Sequence, residues 1–479
     1  MQAPILIDKG SITVPSKRSM YVWGIAIVAA LGGLLFGYDW VVIGGARQFY
    51  EVYFHLASPA LVGWANSCAL VGCLAGSLAA GYFAGRFGRR RVLLVSAILF
   101  AVSSALTGWA YSFESFIFWR IVGGTAIGLS SNVSPLYIAE ISPADIRGRL
   151  VSLNQLAIVL GILLAQVMNW SIARRIPSGL SSNALLQSWN VQMGWRWMFS
   201  AVVIPAIVFT IASYFIPESP RWLMTRGRER AARDVLTRIG GAWYAGAEME
   251  AIERALRAEQ AVGKSSWGEL LRPGVRRVVL VGMALAVLQQ WTGINTLFNY
   301  AAEVYQKAGY GANDIFLNIT ITGVINVVFT ALAMLLVDRI GRRPLILFGC
   351  VGIGVSHLLC AWAYHAQWQG TAVLLLTLSA IACYALTLAP VVWVLIAEIF
   401  PNRVRSQGVS AAVSALWIAS FALTYTFPFL NAKLGTGGTF TGYGVICLLG
   451  CLLVAFFVPE TKGRTLEQIG SDIAESERA

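Results

Sequence analysis

Twelve stretches of this chain are apolar enough, and at about 20 residues each long enough, to cross a membrane as helices. They centre near Leu34, Leu70, Phe100, Gly124, Val159, Ile207, Leu288, Gly323, Gly354, Ala385, Leu416 and Leu448. No other feature limits the fold so strongly. Inside hydrocarbon every backbone N–H and C=O has to be satisfied internally, and runs of this length do that as helices. Composition agrees. The 479 residues are 57% hydrophobic and 12% charged, against about 25% charged in an average soluble domain. Mean hydropathy is +0.67, which fits an integral membrane protein. The first run, Met20 to about Ala46, is too long for a signal-peptide core of about 7–15 residues. It follows a polar tail holding Lys9, Lys17 and Arg18.

Basic residues set the expected orientation. Arg86, Arg89, Arg90 and Arg91 lie between spans 2 and 3, and Arg147 and Arg149 between 4 and 5. Arg339, Arg342 and Arg343 lie between 8 and 9, and Arg403 and Arg405 between 10 and 11. The alternate loops hold fewer bases, chiefly Arg47, Arg174, Arg175, Lys307 and Lys433. The positive-inside rule then places both termini in the cytoplasm of an inner-membrane protein. The net charge of +13 is accounted for by this topology rather than by nucleic-acid binding. All 7 cysteines lie in apolar runs without CxxC or Cys/His spacing, so neither a disulfide nor a metal is expected.

The chain repeats itself. RFGRR from Arg86 returns as RIGRR from Arg339, and AEISPADIR from Ala139 as AEIFPNRVR from Ala397. PESPR from Pro217 has a looser echo in PETKGR from Pro459. The same markers in the same order predict two six-helix bundles, with a binding site at their interface near mid-membrane. The expected fold is therefore all-α and integral to the membrane. It has twelve spans in two pseudo-symmetric bundles, residues 20–216 and 276–458, joined by a cytoplasmic helical linker, 217–275. Tails of 1–19 and 459–479 complete the chain. In the linker Met249, Ile252 and Leu256 recur at helical spacing among charges, as in an amphipathic helix at the cytoplasmic surface.

Asp39 is the one carboxylate in LGGLLFGYDWVVIG, Leu31 to Gly44. A charge at that depth costs about 2.5–3.5 kcal/mol on insertion scales. Arg120 in span 4 falls at a matching depth and is the natural partner. The pair is either a static buried ion pair or a protonation switch, since burial and a nearby cation push a carboxylate in opposite directions. Gln155, Ile162, Gln166 and Asn169 share one face of span 5. Uncharged amides there suit a neutral polyhydroxylated ligand or bond neighbouring helices. In span 7 Gly293 loosens the helix amid Gln289, Gln290 and Asn295. Spans 10 and 11 carry the indoles of Trp393 and Trp417, whose faces can stack on C–H groups of a ligand or on neighbouring side chains, and Pro390 marks a bend. Glu140 with Arg147, Glu218 with Arg221, and Glu398 with Arg405 read as a latch between the bundles, beside Arg89 and Arg342.

FGYD (Phe36–Asp39), RFGRR, LYIAEISPADIRGR, PESPRWL, QQWTGIN, DRIGRRP, AEIFP and PETKGRT occur in this order from the first span to the tail. In them the chain resembles the sugar porters of the major facilitator superfamily, which include D-xylose/proton symporters and facilitative glucose transporters. The resemblance implies proton coupling at Asp39 and Arg120, because proton-linked members have both and facilitative members lack the aspartate. It implies sugar contact at Phe36, Gln155, Gln289, Gln290, Asn295, Asn326, Trp393 and Trp417. Xylose symporters have a glutamine where this chain has Ile162, and relatives carry an amide where it has Leu416. Relatives commonly have two tyrosines where it has Asn299 and Tyr300, so its outer gate is expected to differ.

The expected function is import of a neutral monosaccharide, pentose or hexose, with a proton by alternating access. The partners are the sugar, the proton and the bilayer; no nucleic acid, cofactor, metal or catalytic residue is called for, and the chain is expected to be a monomer. A uniporter with a structural Asp39 is the first alternative and a sugar sensor the second. A membrane enzyme is disfavoured: His55, His357 and His365 show no metal or haem spacing, and no nucleophile triad stands out.

Overall fold

The computed structural model describes residues 16–175, 182–262, 267–368, 370–401 and 404–462. The tail through residue 15 with Lys9, the basic residue Arg403, and the carboxyl tail after Lys462 lie outside these. The described chain is helical throughout. The N-terminal half comprises α1 (Ser16–Tyr53), α2 (Pro59–Phe87), α3 (Arg89–Gly108), α4 (Phe113–Ile141), α5 (Arg147–Ile172) and α6 (Ala184–Phe215). The C-terminal half comprises α7 (Pro273–Asn299), α8 (Ala312–Ile340), α9 (Arg342–His365) and α10, made of Thr371–Leu386 and Leu388–Ile399. One 53-residue helix, Arg405–Phe457, ends the chain.

Among the described residues ten helices meet the length and hydropathy of a span. α4 adds an eleventh, with Arg120 among its apolar residues. The 53-residue helix supplies two, because its backbone turns at Gly435 (φ 70°). These are α11, residues 405–434, and α12, residues 436–457. The chain is thus a twelve-helix bundle, with all the anticipated centres inside helices.

Glycines set how closely the helices pack. Gly72 and Gly76 of α2 face Gly124 and Gly128 of α4, two small-xxx-small steps in contact. A Cβ at Gly124 would collide with the Ala69 carbonyl, and one at Gly128 with the Cys73 carbonyl. Backbone cannot yield as a side chain can. Gly124→Val is expected to destabilise the N-terminal half by about 3 kcal/mol, read as loss of monodisperse protein after graded heating in detergent. Wild-type heat tolerance would refute the close-packing account. In the same way Gly37 meets the Ile158 carbonyl and Gly161 the Leu34 carbonyl, locking α1 to α5.

Between the halves run the helices Pro220–Thr225, Glu229–Gly240 and Ala242–Val262. The apolar stripe foreseen on the last of these packs in part onto its neighbour. Met249 is buried with Ala245 and Leu236, and Ile252 lies against them.

Candidate functional site

Asp39 and Arg120 meet. Nη1 of Arg120 donates to both Oδ1 and Oδ2 of Asp39 at 2.9 Å, and each residue is 3% exposed. The guanidinium fork is only partly used: Nε of Arg120 is buried with no hydrogen-bond partner among the described residues. A fully paired fork would hold the carboxylate by two parallel bonds. Phe199 closes one side, its ring centre 5.4 Å from the guanidinium carbon. On another side Arg120 lines a void with room for roughly one water, bounded also by Trp40, Asn66, Cys73 and Asn299. Asn66 Oδ1 and Asn299 Oδ1 are buried with no donor among the described residues.

Below this pair two helices of the C-terminal half are broken at the same depth. α7 breaks at Gly293, whose φ of 81° is the left-handed region that glycine tolerates. α10 breaks at Thr387 (φ −127°, ψ −88°). The bend expected at Pro390 falls three residues earlier, because proline displaces the carbonyl of the residue four before it, Leu386. An amide chain joins the two breaks. Gln289 Nε2 donates to the carbonyls of Leu388 (3.1 Å) and Ala389 (3.3 Å), Gln290 Nε2 reaches Gln289 Oε1 at 3.5 Å, and Asn295 Nδ2 donates to Gln290 Oε1 at 2.5 Å. All three amides are buried, as is Asn326. His357, unassigned by the sequence, binds the Thr292 carbonyl freed at the first break, Nε2 to oxygen 2.8 Å.

Across the gap stands an aromatic wall. Phe36 and Trp40, one turn apart on α1, meet Trp417 of α11 with ring centres 6.0 and 6.1 Å away. Trp417 is 1% exposed and its Nε1–H has no partner among the described residues. Trp40 had no expected role; its neighbour Asp39 drew the attention, yet a residue one step on points about 100° around the helix, toward the C-terminal half. Trp393 on α10 is half-buried.

The span 5 face divides. Gly33 lies against Asn154 and Gly37 against Ile158, so Gln155 sits near the depth of Phe36 and remains half-buried. Gln166 and Asn169 are committed to neighbouring helices. Asn169 Nδ2 donates to the Val42 carbonyl at 3.1 Å, and Gln166 Nε2 to Thr322 Oγ1 of α8 at 3.3 Å, across the halves.

Further along α1 the halves are tied together. Arg47 donates to Glu51 (2.5 Å) and to Glu303 (2.9 Å), with its guanidinium carbon 4.3 Å over the ring of Tyr300. Tyr300 in turn donates to the Thr424 carbonyl at 2.7 Å, and Asn431 binds Glu303. Arg47 reads in sequence as a loop base. It is structural because α1 stays helical to Tyr53, beyond its apolar window.

At the arginine-rich end the expected pairs are rearranged. Glu140 is held by Arg89, Nη2–Oε1 2.7 Å and Nε–Oε2 2.8 Å, rather than by Arg147. Glu398 is held by Arg342 at 3.3 Å rather than by Arg405. Arg147 and Arg405 turn back onto the carbonyls of Ser142 and Phe400 where α4 and α10 end, each at 3.3 Å. Glu218, expected with Arg221 of the helix Pro220–Thr225, instead accepts from the backbone N–H groups of Arg89 (2.8 Å) and Arg90 (3.1 Å). Glu460 does the same for Arg342 and Arg343, both at 3.1 Å. Each carboxylate caps a helix that starts at a glycine of positive φ, Gly88 (96°) or Gly341 (107°). Ser219 Oγ and Thr461 Oγ1 complete the twins by donating to Glu140 (2.5 Å) and Glu398 (2.6 Å). Among the described residues these contacts close within each half and do not form the expected cross-bundle latch.

Partial burial works against ionisation of Glu460, but its backbone donors at Lys462, Arg342 and Arg343 outweigh it and hold the carboxyl below its ordinary 4.5. Because the folded value is the depressed one, this contribution is complete above 4.5 and is lost as pH falls through the folded value. Glu460→Gln is expected to cost about 0.5–1 kcal/mol at neutral pH after solvent screening. Melting curves of the variant and the unsubstituted protein should converge as the pH falls through the folded value, on the acid side of 4.5; a gap that persists in acid would contradict the capping role.

Two repeated six-helix bundles, broken spans at mid-depth and a buried ion pair facing amides and indoles define a multi-pass membrane transporter of the major facilitator architecture. The profile of the sugar (and other) transporter family matches residues 25–472. The chain belongs to that family. It is 38% identical to the D-xylose-proton symporter of Escherichia coli (strain K12), over 94% of this chain and 96% of that one. It is 35% identical to the arabinose-proton symporter of Bacillus subtilis (strain 168), over 96% and 97%. Among solved structures, the partially occluded inward-open conformation of the E. coli xylose transporter superposes with a TM-score of 0.81 at 37% identity, covering 93% of this chain and all of that one.

Proposed function

We propose that this chain is a proton-coupled symporter that imports a neutral monosaccharide, pentose or hexose, by alternating access. The observation that carries the reading is Asp39, a carboxylate 3% exposed whose hydrogen bonds come from Arg120 alone among the described residues. It stands beside a wall of uncharged amides and indoles. A static pair would use the whole guanidinium fork, whereas a pair that must open is better left short of saturation.

In this reading the arginine-rich face and both termini are cytoplasmic, and the protein works as a monomer in the inner membrane. Residues 20–216 and 276–458 rock about a site that includes Phe36, Gln155, Gln289, Gln290, Asn295, Asn326, Trp393 and Trp417. Without sugar, Asp39 is ionised and held by Arg120 in the outward-facing state, and protonation opens that pair. The far end, closed by Arg47 and Glu303 with the ion pair intact, corresponds to the protein after it has released sugar and proton. Tyr300, Asn299 and Pro390 belong to the moving parts. The arginine-face residues Arg89, Glu140, Arg147, Glu218, Arg221, Arg342, Glu398 and Arg405 stiffen each half.

The test is a panel of pentoses and hexoses presented to proteoliposomes, with external pH recorded. Sugar-induced alkalinisation is the expected result. Sugar flux without any pH change would replace symport by a facilitative uniporter, and absence of flux for every sugar would overturn the substrate class.

A further inference from the structure

Arg120 cannot shed its charge, and it is 3% exposed. Once Asp39 is neutral the guanidinium needs other acceptors. Two residues that line the same void can supply one: Asn66 of α2 and Asn299 of α7, each at least nine-tenths buried and each with an Oδ1 that has no donor among the described residues. Asn66 spends its Nδ2 on the Val62 carbonyl at 2.9 Å and belongs to the same half as Arg120. Asn299 belongs to the other half. It is brought to the void by the close approach of α1 and α7 at Gly44, where an added Cβ would lie 3.4 Å from the Asn299 Cα.

We propose that Asn299 is the alternate acceptor for Arg120: when Asp39 takes up a proton, the guanidinium turns to Asn299 Oδ1 and ties the N-terminal half to the outer end of α7. The inference rests on the symport reading and deepens it, by naming how a proton on one half closes a gate on the other. The added proton stays on the Asp39 carboxyl, Arg120 stays cationic, and only hydrogen bonds are exchanged. When the proton leaves, Arg120 returns to Asp39. Asn299 Oδ1 is then buried and unsatisfied, as it is in this structure, which favours reopening of that end. Other ionisable groups coupled to the pair are Tyr38 and Tyr50 on α1 and Cys68 and Cys73 on α2, all ordinarily neutral at physiological pH. Through Tyr50 the pair is further coupled to Arg47 and Glu51, which bond each other. Asn299 is thus a positioning residue that acts through Arg120.

The pH at half-maximal sugar-driven proton uptake in proteoliposomes tests this. Asn299→Leu removes the acceptor of the protonated state, so the midpoint should move about one unit toward acid. Asn299→Gln should restore it. Asn299→Asp offers Arg120 a stronger acceptor and should move the midpoint toward alkali, a reversal of sign that mere damage to packing does not produce. In an Asp39→Asn background neither Asn299→Leu nor Asn299→Gln, which add no titratable group, should shift the pH profile of sugar exchange. Unmoved midpoints in Asn299→Leu and Asn299→Asp, or shifts of one sign in both, would overturn the proposal while leaving symport standing. No sugar-driven proton uptake in the unsubstituted protein would overturn the symport reading and this inference with it.

Discussion

Asp39→Asn is expected to keep exchanging sugar across the membrane while losing all accumulation against a gradient. Asparagine preserves the shape and one acceptor oxygen, so Arg120 Nη1, now 2.9 Å from both carboxylate oxygens, retains a partner. The lost part is the charge and with it the titration. A pH difference of one unit is worth about 1.4 kcal/mol per proton, enough for about tenfold accumulation at one proton per sugar. The unsubstituted protein should reach that order, and Asp39→Asn should stop at equality inside and outside. Counterflow of labelled sugar in the same vesicles shows that binding and rocking survive. Leaving a buried guanidinium without its counter-ion is ordinarily costly, about 3–5 kcal/mol when a pair is broken. The donor-free oxygens of Asn66 and Asn299 lining the same void give the reason that the variant is expected to fold. Normal accumulation by Asp39→Asn would make the ion pair structural and remove proton coupling from this site.

The pairing of Asp39 with Arg120 was legible because both features behind it are carried in the sequence. A lone carboxylate in an apolar run demands a partner, and helical rise fixes its depth. The twelve spans and their two-fold repeat were legible for the same reason: hydrophobic length and recurring loop motifs are properties of the chain itself. Helix partners at the arginine face were not. Sequence pairs Glu140 with Arg147 because they are neighbours along the chain, yet a turn at Ser142 and Pro143 sends Arg147 back onto a carbonyl and leaves Glu140 to Arg89, which starts α3. The capping by Glu218 and Glu460 depends on helix starts that a residue far along the chain can reach only when the fold is complete.

At the site, chemistry was easier to foresee than commitment. Gln166 and Gln289 are both amides on inward faces, and nothing in their type says that Gln166 ties α5 to α8 while Gln289 serves the broken end of α10. Arg47 and Glu303 escaped notice because α1 and the segment after α7 stay helical beyond their apolar windows. Charges that look like loop residues there become an ion pair between the halves. Trp40 was hidden among 17 tryptophans, since only its facing Trp417 distinguishes it.

Gly44→Leu should trap the transporter open at the end that is closed here, and so abolish net uptake without unfolding the protein. A Cβ at Gly44 would collide with the Phe298 carbonyl and come within 3.4 Å of the Asn299 Cα. Both are backbone atoms of the opposite half. Overpacking of this kind costs about 1–3 kcal/mol or more, and at about 3 kcal/mol the equilibrium between the two states moves by more than a hundredfold. The outcome differs from that at Gly37, which meets the Ile158 carbonyl inside its own half. There the strain can be relieved only by unfolding, whereas the strain at Gly44 is relieved by rocking the halves apart. The measurement is uptake into vesicles together with sugar binding from the outside: uptake should fall about a hundredfold while binding persists. Gly24→Leu is the control in the same helix, because nothing lies within 4 Å of its Cβ position, and it should transport normally. Wild-type uptake by Gly44→Leu would mean that α1 and α7 need not come together for transport, and alternating access through this contact would fall.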